Sequence, residues 1–488
     1  MRKLLLIGIS TFALGAAAMA SADQLTRTKG QDTYKMLELF GDVLVKVKQQ
    51  YVVPVDDKKL IQAAIDGMLT SLDPHSGYLD PASFGDMREE TRGQYGGLGL
   101  EVTTEEGAVK VISPMDGTPA AKAGVMAGDY ITAIDGNSIV GLGLTDAVKQ
   151  MRGAVGTSIT LTIARERQNP FTVKLTREVI DVKTVHSRPI GDIGYLRVSG
   201  FDERTGEETT AALKELKARI PHMKGLVLDL RNNPGGLVDS SVEVASDLLD
   251  GGEIVSQRGR DGKDIERYNA RPNGDMIRGV PITVLINNGT ASAAEIVSGA
   301  LKDRQRATII GLTSFGKGSV QTVIPLRNGA DGALKLTTAR YYTPSGQSIQ
   351  KTGIIPDLQV ARSKAEAEAV TDAAQQYSEA SFKNALDSQE GKVRRAPEEI
   401  EIPADKPEDK AADKEKDKDG KARPRPLRSA FTLTDEDVAA DFQLQRALDV
   451  IRLGGVKEAR AAKPARIFSL PKPAFAKAAA PADAPTKP

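Results

Sequence analysis

Residues 281–312 carry the pattern that most narrows the folds open to this chain. An unbroken apolar run, Pro281-Ile-Thr-Val-Leu-Ile-Asn287, turns through Asn288-Gly289-Thr290-Ala291-Ser292. It continues as helix-like Ala293-Ala-Glu-Ile-Val-Ser-Gly-Ala-Leu301, and a second apolar run spans Ala307 to Leu312. Short apolar runs bounded by turn residues suit strands buried on both faces, which requires helices to cover a sheet. Gly194-Tyr-Leu-Arg-Val198 and Gly225-Leu-Val-Leu-Asp-Leu230 repeat the pattern around a helix-like stretch from Glu207 to Ala218. That alternation predicts an α/β core over residues 182–360.

The same stretch places one hydroxyl, Ser292, where a strand meets a helix. It leads into Thr313-Ser-Phe-Gly-Lys317-Gly-Ser-Val-Gln321, with one lysine between two glycines. Each residue has a structural reading. Ser292-Ala-Ala-Glu295 fits a capping box, in which Ser and Glu satisfy the first amides of a helix. A lysine in a glycine-rich loop suits a solvated charge, and Gln321 suits a strand residue facing water. Taken together they also suit chemistry: Ser292 as nucleophile, Lys317 as its base and Gln321 to orient the amine. A free lysine, with a pKa near 10.4, is neutral in only about one molecule in two thousand at pH 7. Partial burial lowers that value, and catalytic lysines reach roughly 7–8. Lowering it by about three units costs roughly 4 kcal/mol. In an extended chain positions four apart lie roughly 13 Å from each other. A contact between Lys317 and Gln321 therefore needs a curl, which Gly316 and Gly318 permit. A helix beginning at Ser292 would set free amides and a positive dipole end beside the hydroxyl, as an oxyanion hole requires.

Asn-Gly-Thr-Ala-Ser-Ala-Ala-Glu at 288–295 and Phe-Gly-Lys-Gly-Ser-Val-Gln at 315–321 resemble the carboxy-terminal processing proteases, serine peptidases with a Ser-Lys-Gln arrangement. The lysine follows the serine by 25 positions and the glutamine follows the lysine by 4, spacings that fit the family. The commoner family form has serine where Thr290 and Ala294 stand; neither departure touches the nucleophile position. Leu230-Arg-Asn-Asn-Pro-Gly-Gly-Leu237 reads by itself as a strand end and a glycine turn. The resemblance implies that an amide at Gly235 or Gly236 joins that of Ala293 in the oxyanion hole. Tyr341-Tyr-Thr-Pro-Ser-Gly-Gln-Ser348 and Gly353-Ile-Ile-Pro-Asp357 match the family as well.

Upstream, residues 32–92 read as helical, with Tyr34, Leu37, Leu39, Phe40, Val43, Leu44 and Val47 at helical spacing and a second helix from Lys58 to Leu72. Leu72-Asp-Pro-His-Ser-Gly-Tyr-Leu79 matches a family signature, and in relatives this region helps the enzyme dimerise. Residues 94–180 resemble a PDZ domain. The resemblance rests on the glycine loop Tyr95-Gly-Gly-Leu-Gly-Leu-Glu-Val102 together with Ser113-Pro-Met-Asp-Gly-Thr-Pro-Ala120, Ala123-Gly-Val-Met-Ala-Gly-Asp129 and Ile131-Thr-Ala-Ile-Asp-Gly136. Loop amides of Gly96, Gly97 and Gly99 could hold a terminal carboxylate while the peptide adds as an edge strand. Leu98, Leu100, Ala147, Val148 and Met151 could line the side-chain pocket, or some could be ordinary core.

The N-terminus, Arg2-Lys3 before an apolar run from Leu4 to Ala20 and Ala20-Ser-Ala22, reads as a signal peptide over residues 1–22. The alternative is an uncleaved anchor, for which the run is short. Export to the periplasm follows, soluble or peripherally bound to the membrane. Residues 361–488 form a C-terminal extension. Within it 403–426, rich in Lys, Asp, Glu and Pro, is expected to be disordered. Residues 435–453 regain helical periodicity and are expected to dock onto a partner subunit, and the end from Lys472 reads as a tail.

Composition removes several classes of function. No cysteine occurs, so thiolate nucleophiles, disulfides, Cys metal sites and lipoprotein anchoring are excluded. His75, His186 and His222 are the three histidines, and none sits in an HExxH pattern; no metal or other cofactor is expected. Sixty-six Lys+Arg against 65 Asp+Glu give no basic excess for nucleic acid. The reading is an exported serine endopeptidase that cuts near polypeptide C-termini. The resemblance further implies exported substrates, cell-wall hydrolases among them, an adaptor lipoprotein in some relatives, and a homo-oligomer built through N- and C-terminal helices. The rival readings are a non-catalytic PDZ peptide-binding scaffold and an amidase or esterase for small substrates.

Overall fold

The computed structural model describes residues 32–105, 107–115, 117–166, 168–262, 265–371, 377–388, 399–403, 433–462 and 466–469. The signal-peptide expectation over 1–22, the disorder expected over 403–426 (apart from residue 403) and the tail from Lys472 lie outside them. The chain divides into two compact units after Leu69. The first holds a helix over 32–50 and most of the helix Asp57–Thr70. Its residues Tyr34, Met36, Leu37, Phe40 and Val43 are exposed.

The second unit begins where the sequence suggested continued helix. Asp73-Pro74 ends the helical pattern, and Gly77–Leu79 pairs as a strand with Ala333–Tyr342. A helix, Pro81–Arg92, follows; Asp80 caps it by accepting from Ser83 N–H, and Gly93 ends it with φ 67°. The Leu72–Leu79 stretch falls in the larger compact unit.

Strands Gln94–Gly97 and Glu178–Asp181 pair antiparallel and close the PDZ-like unit at its two connections. Between them lies a sheet in which Leu100–Glu105 is an edge strand, bonded on one side to Ala108–Pro114. Inward-pointing Val109, Val111, Ile131, Ile159, Leu161 and Ile163 form its core, with Ala147 wholly buried among them. Ala147 is therefore core, not pocket lining.

The α/β core is a six-stranded sheet in the order Val185–Ile190, Ile193–Val198, Gly225–Asp229, Ile282–Ile286, Ala307–Gly311, Leu358–Gln359. The first pair is antiparallel and the rest are parallel. Helices Thr205–Arg219, Val238–Ser246 and Ala293–Asp303 belong to one apolar cluster, while Phe442–Leu453 joins a second that uses alternate strand residues. The strands' near-continuous apolar composition follows from that double covering. Three neighbouring parallel strands deliver three segments to one edge: the turn through Gly236, the turn at Ser292 and the loop at Lys317. The carboxyl edge of such a sheet is where α/β proteins place ligands.

Helical periodicity over 435–453 resolves into two helices, Asp435–Ala440 and Phe442–Leu453, because Asp441 leaves helical conformation to cap the second. The expected docking onto a partner subunit is corrected here. Leu444, Leu448 and Ile451 are buried against Ile193, Tyr195, Val227, Leu285 and Ile310 of the same chain. Each such side chain contributes about 1.5–3 kcal/mol by burial. A buried Arg231, bonded to Asp229, Asp441 and Gln443, ties this helix to the turn after Gly225–Asp229.

Candidate active site

Ser292 sits between the strand Ile282–Ile286 and the helix Ala293–Asp303 with φ 54° and ψ −117°, a conformation side chains other than glycine rarely adopt. The surrounding structure enforces it. Thr290 Oγ1 donates to the Leu230 carbonyl at 2.8 Å, Ala291 N–H to the Asn233 carbonyl at 2.9 Å, and Asn232 N–H to Asn287 Oδ1 at 2.9 Å. These bonds zip the serine turn to the glycine turn on the adjacent strand. Gly235, with φ 103°, lies so close that a Cβ there would stand 2.8 Å from the Ser292 Cβ. Its N–H donates to Asn233 Oδ1 at 2.8 Å. The N–H groups of Gly236 and Ala293 have no acceptor among the described residues.

The capping-box pattern forms in part as sequence suggests: Ser292 N–H donates to Glu295 Oε2 at 2.9 Å. The Glu295 N–H goes to the Ser292 carbonyl oxygen at 2.8 Å. Glu295 itself is fully buried, and it also accepts from Gly316 N–H at 2.7 Å and Lys317 N–H at 2.9 Å. Those bonds bring the lysine loop to the serine turn, with the two backbone nitrogens within two hydrogen-bond lengths of each other. Gly316 supplies the turn with φ 93°.

Burial pushes the Lys317 amine down to about 8; Lys335 pushes the same way, while Glu379, Glu295 and Asp73 oppose. No side chain among the described residues hydrogen-bonds that amine. Gln321 lies at an irregularity in the pairing of Ser319–Pro325 with Ala333–Tyr342, opposite Thr337. Bulges of this kind re-aim side chains near active sites. Its Nε2 donates to Ser319 Oγ at 3.0 Å and Thr337 Oγ1 at 3.2 Å, so both amide hydrogens are engaged and its oxygen is what remains to offer. Thr337 Oγ1 donates in turn to Asp73 at 3.0 Å. His75, read from sequence as structural, meets Glu379 at 2.8 Å. Gln350 connects Glu379 to Gly318 N–H, bracing the lysine loop from behind.

In the PDZ-like unit, Gly97, Leu98, Gly99, Leu100, Val148 and Met151 line one groove, joined by Tyr95, Val102 and Arg152. Gly96 stands off it, its carbonyl accepting from Gly153 N–H at 3.1 Å. Sequence reasoning missed Arg152, whose guanidinium stacks 4.3 Å from the Tyr95 ring centre and whose Nε has no partner among the described residues. Nothing in a helix-end arginine marks it as facing a groove.

Residues 192–360 match Peptidase family S41, residues 110–165 match a PDZ domain, and residues 9–83 match the Activating protease CtpB N-terminal domain. A carboxy-terminal-processing protease of Bartonella bacilliformis is 54% identical over 362 residues, covering 74% of this chain and 82% of the relative. This chain belongs to the carboxy-terminal-processing protease family. It is a serine-type peptidase with a PDZ domain. A probable CtpA-like serine protease of Staphylococcus aureus (strain MSSA476) is 37% identical over 349 residues, covering 70% of this chain and 66% of the relative. The solved photosystem II D1 C-terminal processing protease is 34% identical with a TM-score of 0.40, covering 64% of this chain and 88% of that one. Thr290 supplies the hydroxyl that anchors the turn, and Ala294 is buried in the core.

Proposed function

We propose that this protease is an exported endopeptidase that cuts near polypeptide C-termini, with Ser292 as nucleophile and Lys317 as general base. The observation that carries the reading is a lysine amine lowered by burial on a loop bonded to the strained serine turn. A neutral amine takes the Ser292 proton as the hydroxyl attacks the scissile carbonyl, and the ammonium then protonates the leaving amine. Gln321, its amide hydrogens already engaged, has its oxygen to offer the amine once substrate is bound, which would orient the amine's lone pair toward Ser292. The unbonded amides of Gly236 and Ala293 stabilise the oxyanion; Gly235 contributes the close approach, its own N–H being engaged by Asn233.

The PDZ domain selects the substrate end. The edge strand Leu100–Glu105 is open to one more strand, and the amides of Gly97 to Gly99 together with Arg152 receive the terminal carboxylate. The apolar lining favours Ala, Val or Leu ends over Asp or Lys, which would be desolvated without a partner. The paired strands at the two connections form one stem about which the domain can swing, gating Ser292. The basic-apolar N-terminus supports export to the periplasm. Exported proteins, cell-wall hydrolases among them, are the proposed substrates, with an adaptor lipoprotein as partner. The exposed apolar face of the helix over 32–50 supports assembly into a homo-oligomer.

Amidating the C-terminus of a peptide substrate should lower kcat/KM about 10- to 100-fold, from the roughly 1.5–3 kcal/mol of a hydrogen bond to a charged group. Mass spectrometry of the products should place the cut inside the chain. Deleting residues 95–180 should broaden end specificity; under gating it should also raise the basal rate on a short generic peptide. Equal cleavage of amidated and free substrate would remove the PDZ domain from end recognition.

A further inference from the structure

Glu295 carries more than a helix cap requires. A cap needs one contact to Ser292 N–H and can remain half-solvated. Here the carboxylate is fully buried, no cation among the described residues forms an ion pair with it, and four donors converge on it. Oε1 takes the Ser314 hydroxyl and, at 2.7 Å, the Gly316 N–H. Oε2 takes the N–H of Ser292 and the N–H of Lys317, each at 2.9 Å. One oxygen atom therefore holds the backbone of two residues 25 positions apart on different elements. Burying a carboxylate without a cation is costly, and stability alone gives no reason to bury one here.

We propose that Glu295 is a positioning residue of the proteolytic site, setting the distance between nucleophile and base through Oε2 and clamping the intervening loop through Oε1. The assignment rests on the reading of Ser292 and Lys317 as nucleophile and base. It explains how the backbones of nucleophile and base are held at a set distance by bonds that do not use the lysine amine, whose lone pair stays available for the serine proton.

The charge on Glu295 has a second consequence. The groups acting on the Lys317 amine are Lys335, which disfavours the ammonium, and Glu379, Glu295 and Asp73, which favour it; His75 pairs with Glu379. Glu295 is itself faced by neutral donors, from Ser292, Ser314, Gly316 and Lys317, which only partly offset burial, so its carboxyl is pushed up to about 7. Losing its charge makes the ammonium of Lys317 less favourable.

The test is Glu295→Gln in the full chain, assayed on a free-ended peptide. A carboxamide has one acceptor oxygen, and in either orientation its NH2 faces at least one backbone N–H. The proposal expects kcat to fall about 10²-fold or more, the scale of a 1 Å misplacement, with KM changed less than about threefold. It also expects the acid limb of the rate profile to move to lower pH, because a charge favouring the Lys317 ammonium is gone. Ser314→Ala is the companion: it removes a donor that helps keep the carboxylate ionised, so Glu295 loses charge and the acid limb should move to lower pH, in the same direction as Glu295→Gln. A merely structural role would lower the fraction of sites titrated by a fluorophosphonate and leave both limbs in place; that result overturns the proposal. If Glu295→Gln does not fold, the Ser314→Ala profile decides alone. Activity retained by Lys317→Ala would instead sink the underlying Ser-Lys reading. An inactive Lys317→Ala beside a Glu295→Gln with kcat within threefold of wild type sinks only the Glu295 assignment.

Discussion

Ser292→Ala and Lys317→Ala should each lower turnover by at least roughly 10³-fold in a folded protein, and the double variant should be little worse than either single one. Both residues serve one step, proton transfer coupled to attack, so removing either disables it. Neither substitution attacks what holds the site together. The bonds that organise the turn run through the Ser292 N–H and the Lys317 N–H, which alanine keeps. Lys317→Ala also removes an amine whose charge burial disfavours, so the melting temperature should not fall. Kinetics on a peptide substrate with thermal melts in parallel make the measurement. Multiplicative losses in the double variant would mean independent action and would sink the mechanism.

Activity should rise with pH through an ionisation near 8, and Lys317→Arg should be inactive. Burial, with Lys335 beside it, lowers the Lys317 amine to about 8. The active form is the neutral one, so the sign is fixed: acidification protonates Lys317 and removes the base. At pH 7 about a tenth of the molecules carry a neutral amine and at pH 6 about a hundredth. The rate should therefore climb on the order of 10²-fold between pH 6 and 9. Arginine cannot act in this way, because its guanidinium stays protonated at any working pH. The expected loss is again at least roughly 10³-fold. Circular dichroism of the arginine variant separates a dead site from a damaged fold. A folded arginine variant with measurable turnover would rule out a lysine base.

Much of this protein was legible in order along the chain because its signals are local. Apolar runs separated by turn residues predict buried strands, and Ile282–Ile286 and Ala307–Gly311 are such strands. A serine at a strand-to-helix junction and a lysine between glycines stand out because both departures from ordinary patterning happen within a few residues. The glycine-loop motifs of the PDZ domain are local for the same reason. Sequence leaves a residue's role open where its neighbours are distant in the chain. Ala147 reads as either pocket lining or core, because helical spacing cannot tell which side of an amphipathic helix meets the core and which the groove; the structure puts it in the core.

The amino-acid sequence alone determined the α/β class, the PDZ unit and the three residues Ser292, Lys317 and Gln321 as candidates for one site. Tertiary structure alone decided how they meet. Neighbouring parallel strands bring the Gly236, Ser292 and Lys317 segments to one sheet edge, a consequence of strand order that no local pattern encodes. Burial of the Lys317 amine, the engagement of Gly235 N–H by Asn233 and the role of Glu295 all depend on groups brought together across tens of residues. The C-terminal helix shows the same limit. Its apolar stripe was plain, but whether that stripe covers another subunit or its own sheet depends on which surface remains uncovered, and here the chain's own strands claim it. Periodicity states that a face must be buried; the free energy of burial is nearly indifferent to whose apolar surface does it, so only the assembled fold supplies the partner.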